Sequence, residues 1–278
     1  MANQIKWLPG KSSRGCNYKY CEGKHVNLTK LKNDFPDHSY LKKKNIPKYP
    51  EYVFRVSNVC HVTDKSGLEG IFRDDGFRGN DGLLWWGLSV TDGDIAEAEK
   101  NMLVPFPREN SSPAFQKKSL YGNFRFTFPL RKLLNLYSMQ CCNNTAPVLR
   151  VLGTQVHKQE IVYSVLVHPK KLKADYRKYP RLPFNDKLVC GYKKGRMFWR
   201  CQSPSDKYYE CDDRSPERPE YFVWDNVCMA FHMNPDDILH VDQGCLSDSL
   251  SVCKVALKKL LREPNMSVRE AEEIVQLL

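Results

Sequence analysis

His61 is the first residue whose position suggests chemistry. It stands just beyond residues 52–59, "YVFRVSNV", in which apolar and polar side chains alternate as they do in a half-buried strand. A segment with the signals of a short helix comes directly after it. His61 is therefore expected at a strand-to-helix junction. Side chains there often line a cleft, and an imidazole in a cleft can bind a polar ligand.

The short helix beyond this junction is predicted from its two ends and its apolar face. Ser66 with Glu69 three residues later has the pattern of a capping box. Leu68 and Ile71 recur at the spacing of one helical face. Gly76 is expected to supply the left-handed residue after the last turn.

Cys16, Cys21 and His25 form a second candidate group, within "CNYKYCEGKH". Thiolate and imidazole groups suit zinc, and a metal would help an irregular basic segment to fold. The spacing matches no common zinc finger, and His38 is the nearest candidate for a fourth ligand. The alternatives are a structural zinc site and ordinary thiols beside a structural histidine.

Residues 191–200, "GYKKGRMFWR", mix cations with aromatic side chains and are predicted to form a hairpin that turns at Lys194 and Gly195. Single-stranded nucleic acids are bound by this combination, because cations contact phosphates and aromatic rings stack on bases. Lys193, Lys194 and Arg196 are the candidate phosphate contacts, and Trp199 is the candidate stacking residue. The alternative is a solvated hairpin with packed aromatic side chains.

The positive charge of the chain is concentrated in two segments. The net charge is +11, of which residues 1–55 carry 12 basic and 4 acidic groups, a net of +8, and residues 170–218 carry 14 and 7, a net of +7. Residues 219–278 carry 5 and 10, a net of −5. Basic segments attract polyanions, so RNA or DNA is a candidate partner. Solvated lysines that aid solubility are the alternative.

Composition excludes several classes of protein. A hydrophobic content of 41% and an aromatic content of 12% are typical of a globular chain. No run of 18 apolar residues is present, so no membrane-spanning helix is expected. The eleven cysteines are odd in number, and no signal peptide precedes them, so a reducing cytoplasmic or nuclear location is expected.

The pattern of predicted elements indicates an α+β fold, mostly one domain with additions. Residues 1–50 are interpreted as a basic, irregular N-terminal extension, residues 51–242 as the core with a basic insert at 170–218, and residues 243–278 as C-terminal helices. Within the core, residues 82–90 are predicted to form an apolar strand before a helix capped by Thr91. Residues 148–169 are predicted to form a strand pair that breaks near Gly153.

The order of these pieces resembles the core of the ADP-ribosyltransferase superfamily. The resemblance rests on His61-Val62-Thr63 after a strand, on "LSVT" with Ser89 at the end of a later strand, and on "HKQE" with Glu160 at the start of another. It implies a split β-sheet with flanking helices whose cleft holds NAD as substrate.

The resemblance also implies roles for individual residues. His61 and Thr63 would bind the ribose and amide of nicotinamide, or Arg55 would take the place of the histidine as in a second branch of the family. Glu160 would be the catalytic glutamate, which stabilises the positive charge on the ribose as nicotinamide leaves. Two further residues, Ser89 and Trp86, are candidates for NAD binding. Glu220 in "PEYFVWD" is the alternative catalytic glutamate.

Two functions follow from the sequence. The first is an NAD-dependent transferase that moves ADP-ribose to a protein or nucleic-acid acceptor. The second is a catalytically inactive module of the same fold that binds RNA or DNA through its basic and aromatic segments. The mixed motifs, with Lys158 in place of the usual Gln or Glu two residues before Glu160, leave the acceptor open.

Overall fold

The structure is a computed structural model that describes residues 5–12, 15, 17–36, 52–100, 118–119, 121–157, 160–182, 188–201, 224–255 and 266–278. Within these residues strands outnumber helices, and the predicted α+β class is confirmed. None of the described helices is long and apolar enough to cross a membrane.

The strands are short to medium in length and spread along the whole described chain. In chain order they are β1 (Leu8–Lys11), β2 (Asn17–Glu22), β3 (Tyr52–Val56), β4 (Asn58–Thr63), β5 (Gly76–Arg78), β6 (Leu83–Ser89), β7 (Lys118–Ser119), β8 (Phe124–Pro129), β9 (Val148–Val156), β10 (Glu160–His168), β11 (Cys190–Lys193), β12 (Arg196–Cys201), β13 (Trp224–His232), β14 (Ile238–His240), β15 (Leu250–Val252) and β16 (Lys254–Val255). The helices are α1 (Leu28–Asp34), α2 (Lys65–Arg73), α3 (Asp92–Glu99), α4 (Leu130–Cys141), α5 (Gln243–Ser249) and α6 (Val268–Val275), with a 3-10 turn at Lys170–Lys173.

One nine-stranded sheet organises the molecule, in the order β1-β2-β9-β10-β13-β6-β4-β8-β15. β10 and β13 run parallel, and the other neighbouring pairs are antiparallel. A smaller sheet, β11-β12-β3, joins it through the single residue Ser57 between β3 and β4.

The large sheet opens between β4 and β6. β4 pairs with β8 along its whole length, but it pairs with β6 only over Asn58–Cys60. The first half of β6 pairs instead with β13. Beyond Cys60 the two neighbouring strands therefore separate, and His61 stands at the opening.

The register gives the sheet two chemically different faces. On one face, here called the core face, large apolar side chains such as Trp86, Phe126 and Phe128 are fully buried and contact Phe77 of β5 edge to face. The opposite face, here called the polar face, is lined by side chains that carry hydrogen-bonding groups. Its members are Cys60, Ser89, Arg125, Glu160, Asn226 and Cys228.

The predicted N-terminal extension is wrong in one respect. Residues 8–22, expected to be irregular, form the hairpin β1–β2, and β2 pairs with β9 as part of the large sheet. In the C-terminal segment, predicted to be helical, α5 is followed by the strands β15 and β16. α6 has the predicted capping box of Ser267 and Glu270.

Two local predictions also need correction. The N-cap of α2 is Asp64, which accepts a hydrogen bond from the backbone N–H of Gly67, and the left-handed residue after the helix is Asp75 rather than Gly76. Gly153 lies inside β9 and is not a break: a side chain there would collide with the carbonyl oxygen of Cys21 on β2. The strand 82–90, the helix capped by Thr91 and the turn at Lys194 are confirmed.

Candidate functional site

Gly87 lies at the centre of the polar face. In the register it stands opposite Cys228 of β13 on one side and Cys60 of β4 on the other. Because glycine has no side chain, the groups around it can extend over its backbone, and the Cys60 Sγ lies 3.8 Å from where a β-carbon of Gly87 would be.

Glu160 is the buried acid of this face. Only 6% of its surface is exposed. Its Oε2 accepts a hydrogen bond of 3.2 Å from the Tyr121 hydroxyl, and its Oε1 accepts one of 3.5 Å from the Nδ2 of Asn226. Burial raises the pKa of the Glu160 carboxyl, because the charged form loses hydration, while the bonds from Asn226 and Tyr121 act in the opposite direction.

Asn226 has a polar atom with no partner. Its Nδ2 donates to Glu160 at 3.5 Å and to the sulfur of Cys228 at 3.7 Å. Its Oδ1 is buried and accepts no hydrogen bond within the described part of the chain. An unsatisfied buried carbonyl oxygen costs about 1–3 kcal/mol, so a donor from a ligand would relieve it.

Arg125 is the buried cationic residue of the polar face, with 8% of its surface exposed. Its Nη2 donates to the Ser89 hydroxyl at 3.0 Å. The guanidinium also lies close to Cys60, where it opposes the increase that burial causes in the pKa of that thiol. Arginine is thus held beside the serine of the "LSVT" segment.

Tyr121 reaches Glu160 from a distant part of the large sheet. It lies three residues before β8, and β8 is four strands away from β10 in the sheet. In a flat sheet that separation would be about 19 Å, which a tyrosine and a glutamate cannot span. The hydrogen bond from Tyr121 to Glu160 therefore depends on the twist of the sheet and on the segment before β8, which together bring the half-exposed Tyr121 side chain to the carboxylate.

His61 lies on the opposite face from Glu160, and the predicted pair is not brought together. The ring of His61 packs between Phe77 and Trp86, at centroid distances of 5.3 and 5.5 Å, and its Nδ1 donates to the carbonyl oxygen of Trp85. Burial lowers the pKa of His61, so the neutral ring is favoured. The alternation of side chains along β4 places Cys60 on the polar face and His61 on the core face.

The other predicted NAD contacts divide in the same way. Thr63 shares the core face with His61, and its side chain lies under Gly67 of α2. Trp86 is fully buried in the aromatic core. Arg55 lies on β3 of the smaller sheet, where it is exposed and pairs with Glu97 at 3.1 Å. Ser89 alone of this group lies near Glu160, on the polar face. The alternative catalytic residue Glu220 lies outside the described residues.

The predicted zinc ligands do not converge within the part of the chain that the structure describes. Cys16 lies outside that part. The Nε2 of His25 donates to the carbonyl oxygen of Ser164, and its Nδ1 accepts from the thiol of Cys190 at 3.4 Å. The Cys21 thiol contacts the Glu22 carbonyl oxygen. No three His, Cys, Asp or Glu side chains among the described residues are placed to hold a metal.

The predicted nucleic-acid hairpin forms, but only part of it is exposed. Trp199 is fully buried and packs against Phe54, so it cannot stack on a base. Arg196 pairs with Asp94 and with Glu97 of α3. Lys193 and Lys194 remain exposed at the turn.

Tyr121, Arg125 and Asn226 are functional candidates that the sequence analysis missed. Arg125 and Asn226 are polar residues inside otherwise apolar strands, "NFRFTF" and "VWDNVCMAF", and this is the signal that marks them. Their approach to Glu160 and Ser89 depends on the order of the strands and the twist of the sheet, which a local sequence pattern does not predict.

No family model, no curated protein and no solved structure matches this chain. The arguments for its function therefore rest on its own residues and their geometry.

Proposed function

We propose that the protein transfers ADP-ribose from NAD to a protein or nucleic-acid acceptor, with the polar face as its active site. The observation that carries the proposal is the pair formed by Glu160 and Asn226, a buried carboxylate beside a buried amide oxygen for which the described residues supply no donor. Vicinal ribose hydroxyls are paired donors, and they suit two such acceptors side by side.

The reaction breaks the bond between the ribose C1′ and the nicotinamide nitrogen. Nicotinamide leaves with the electron pair of that bond, positive charge builds on the ribose, and the acceptor nucleophile forms the new bond at C1′ and loses a proton. A fixed carboxylate in a site of low polarity stabilises such a charge, and one preorganised group of this kind is worth about 3–4 kcal/mol. Glu160 is the residue proposed for this role.

Arg125 is proposed as the arginine of the site, with the diphosphate of NAD as its ligand, a role different from the ribose and amide contact that the sequence suggested for Arg55. Arg55 is paired with Glu97 away from the polar face, whereas Arg125 donates to Ser89 on it. A buried guanidinium is suited to bind an anionic diphosphate because its N–H groups form a fixed fork.

Tyr121 must move for NAD to enter, because its hydroxyl occupies an acceptor position of Glu160. Tyr121 is 40% exposed, so it is not enclosed in the core. A ribose hydroxyl would then replace the tyrosine hydroxyl as donor to the carboxylate.

The test is release of nicotinamide from radiolabelled NAD, with label followed into protein, RNA and DNA. We expect Glu160→Gln to lower release by about 100-fold or more while NAD binding is retained. The matched control is Glu69→Gln on α2, which replaces an exposed glutamate paired only with Lys65. Glu220→Ala is made in parallel, and a loss confined to that variant would transfer the catalytic role to Glu220. Absence of both NAD binding and nicotinamide release in the unaltered protein would overturn the proposal.

The alternative function, an inactive module that binds RNA or DNA, has Lys193 and Lys194 in its favour, since both are exposed at the hairpin turn. Its aromatic contact has to be a residue other than Trp199, which is buried.

A further inference from the structure

A cavity of about 420 Å³ lies between helix α4 and the β11–β12 hairpin. It is separate from the residues of the polar face. Its walls combine cationic, amide, phenolic and apolar groups. The lining residues are Arg131, Leu134, Asn135, Tyr192, Lys194 and Gly195.

Both walls of the cavity are defined by local structure. Arg131, Leu134 and Asn135 are spaced i, i+3 and i+4 on α4 and therefore share one helix face. The opposite wall is the hairpin turn, where Lys194 and Gly195 both have positive φ, at 50° and 83°. Such a turn is tight and matches the twist of the two strands. At its tip, Gly195 lies close to the Arg131 side chain.

The positive charge of the cavity is not neutralised by any of the acidic residues that the structure describes. Neither Arg131 nor Lys194 forms an ion pair with a carboxylate among the described residues. Arg196, two residues beyond Lys194, shows the contrast, because it pairs with two acidic residues of α3. Two cations that face one cavity without a counter-charge favour an anionic ligand.

Tyr192 supplies the aromatic part of the cavity. It is half-buried, and burial raises the pKa of its phenol, while the nearby Arg131 acts in the opposite direction. The phenol thus lies within electrostatic reach of the guanidinium. An aromatic ring beside cations is the arrangement that binds a nucleotide, since bases stack on rings at about 1–3 kcal/mol per base.

We propose that this cavity binds a phosphorylated nucleotide, either free or as one unit of a single strand. Its phosphate would be bound by Arg131 and Lys194, and its base would lie against Tyr192. The volume falls in the range of small-ligand sites, about 300–1,000 Å³. The site is independent of NAD chemistry at Glu160. It also replaces the predicted stacking residue Trp199 by Tyr192.

The test compares three small probes and one oligonucleotide on the full chain. Adenosine 5′-monophosphate, adenosine and inorganic phosphate are titrated by calorimetry at low salt, and a fluorescein-labelled oligo-dA 12-mer is followed by anisotropy. We expect the monophosphate to bind more tightly than adenosine or phosphate alone. Arg131→Gln combined with Lys194→Gln should weaken monophosphate binding about tenfold or more. In the same variant, the slope of log K against log salt concentration for the oligonucleotide should fall by the equivalent of about one to two phosphate contacts.

Lys132→Gln is the matched control for the single variant Arg131→Gln, because each removes one positive charge from α4 and Lys132 lies outside the cavity. Tyr192→Ala should reduce monophosphate binding to the level of inorganic phosphate. Binding of both the monophosphate and the 12-mer supports the site, and binding of one alone identifies the natural source of the nucleotide. Equal weakening by the control, or no binding of any probe, would overturn the proposal. Unchanged nicotinamide release in the Arg131/Lys194 variant would separate this site from the reaction at Glu160.

Discussion

The Glu160 carboxyl is buried, and burial raises its pKa above the ordinary value of 4.5. The native state therefore binds the proton more tightly than the unfolded chain does, so this group stabilises the fold at low pH and loses that contribution as pH rises through the raised pKa. Glu160→Gln lacks this ionisation. We expect the variant to be more stable than the unaltered protein by about 1–3 kcal/mol at pH 8.

Urea unfolding at pH 8 and pH 5 measures this difference. The stability advantage of Glu160→Gln should shrink at pH 5, because the Glu160 carboxyl of the unaltered protein is then more protonated and its burial costs less. Other acid-sensitive groups are common to both proteins, so their effects cancel in the difference. An equal difference at both pH values would show that the carboxyl is not strained by burial.

The Tyr121 hydroxyl donates to the ionised form of Glu160 and so favours it. Tyr121→Phe removes the donor and leaves the ring, which should raise the pKa of Glu160 further. The acid limb of the pH profile of nicotinamide release is therefore expected to move to higher pH, with little change at alkaline pH, when release is measured at NAD concentrations far below saturation, where the profile reports the free protein. Tyr176→Phe is the control, because it removes the hydroxyl that bonds His232, six residues beyond Asn226 at the other end of β13. An unshifted acid limb would contradict the assigned hydrogen bond.

His25 is a second titratable residue, which is half-buried, and the loss of hydration around its ring lowers its pKa from 6.5 to about 4. The unfolded chain takes up a proton at this residue between those values and the native protein does not, so stability falls as pH falls through that window. From pH 7 to pH 5 this one group contributes a loss of about 2 kcal/mol. His25→Gln should be less stable at pH 7 but show a smaller loss on acidification.

Urea unfolding across this pH range is the measurement for His25, with the exposed His240→Gln as the control. A pH dependence of the same steepness in His25→Gln and in the unaltered protein would contradict the assignment.

At the scale of single residues, the sequence led to Glu160 and Ser89 but not to their neighbours. Glu160 is recognisable because it begins a long apolar strand. Its pairing with His61 was inferred from their order along the chain, and the side-chain alternation within β4 turns His61 to the other face. Asn226 reaches Glu160 only because β10 and β13 are parallel neighbours, and strand order is a non-local property.

At the scale of elements, the start of α2 offers a direct test of what caps a helix. The Asp64 side chain accepts from the backbone N–H of Gly67, whereas Ser66, the residue predicted from the sequence, lies inside the helix and donates to Asp64. Asp64→Ala should lower the free energy of unfolding by about 1 kcal/mol. Ser66→Ala should change it by less than about 0.5 kcal/mol. Thermal or urea unfolding of the two variants distinguishes them, and the reverse order of effects would restore Ser66 as the cap.

Element boundaries were predictable where the signal is local. The capping box of Thr91 and Asp94 and the turn at Lys194 depend on residues a few positions apart, and both are present. The role of Gly153 was not predictable because it depends on a distant strand: the glycine allows β2 to approach β9, and nothing near it in sequence indicates this.

At the scale of the whole molecule, the α+β class followed from the mixture of strand and helix patterns. The participation of residues 8–22 did not, since β1 and β2 are short and alternate polar residues with half-buried ones rather than with strongly apolar ones. The predicted division at residues 50 and 242 follows composition, whereas the large sheet takes strands from both sides of each boundary. Basic composition marks a surface property and says little about which strands pair.

The two outermost strands of the large sheet, β1 and β15, are also its shortest, with four and three residues. β1 contains Pro9, which has no backbone N–H to donate, and ends at Lys11. Short strands, proline and lysine at a sheet border are the means by which β-proteins avoid pairing with further chains. A chain that lacked β1 and β2 would instead present the nine-residue strand β9 as a border. The hairpin at the N-terminal end thus protects the protein against self-association into extended β-assemblies.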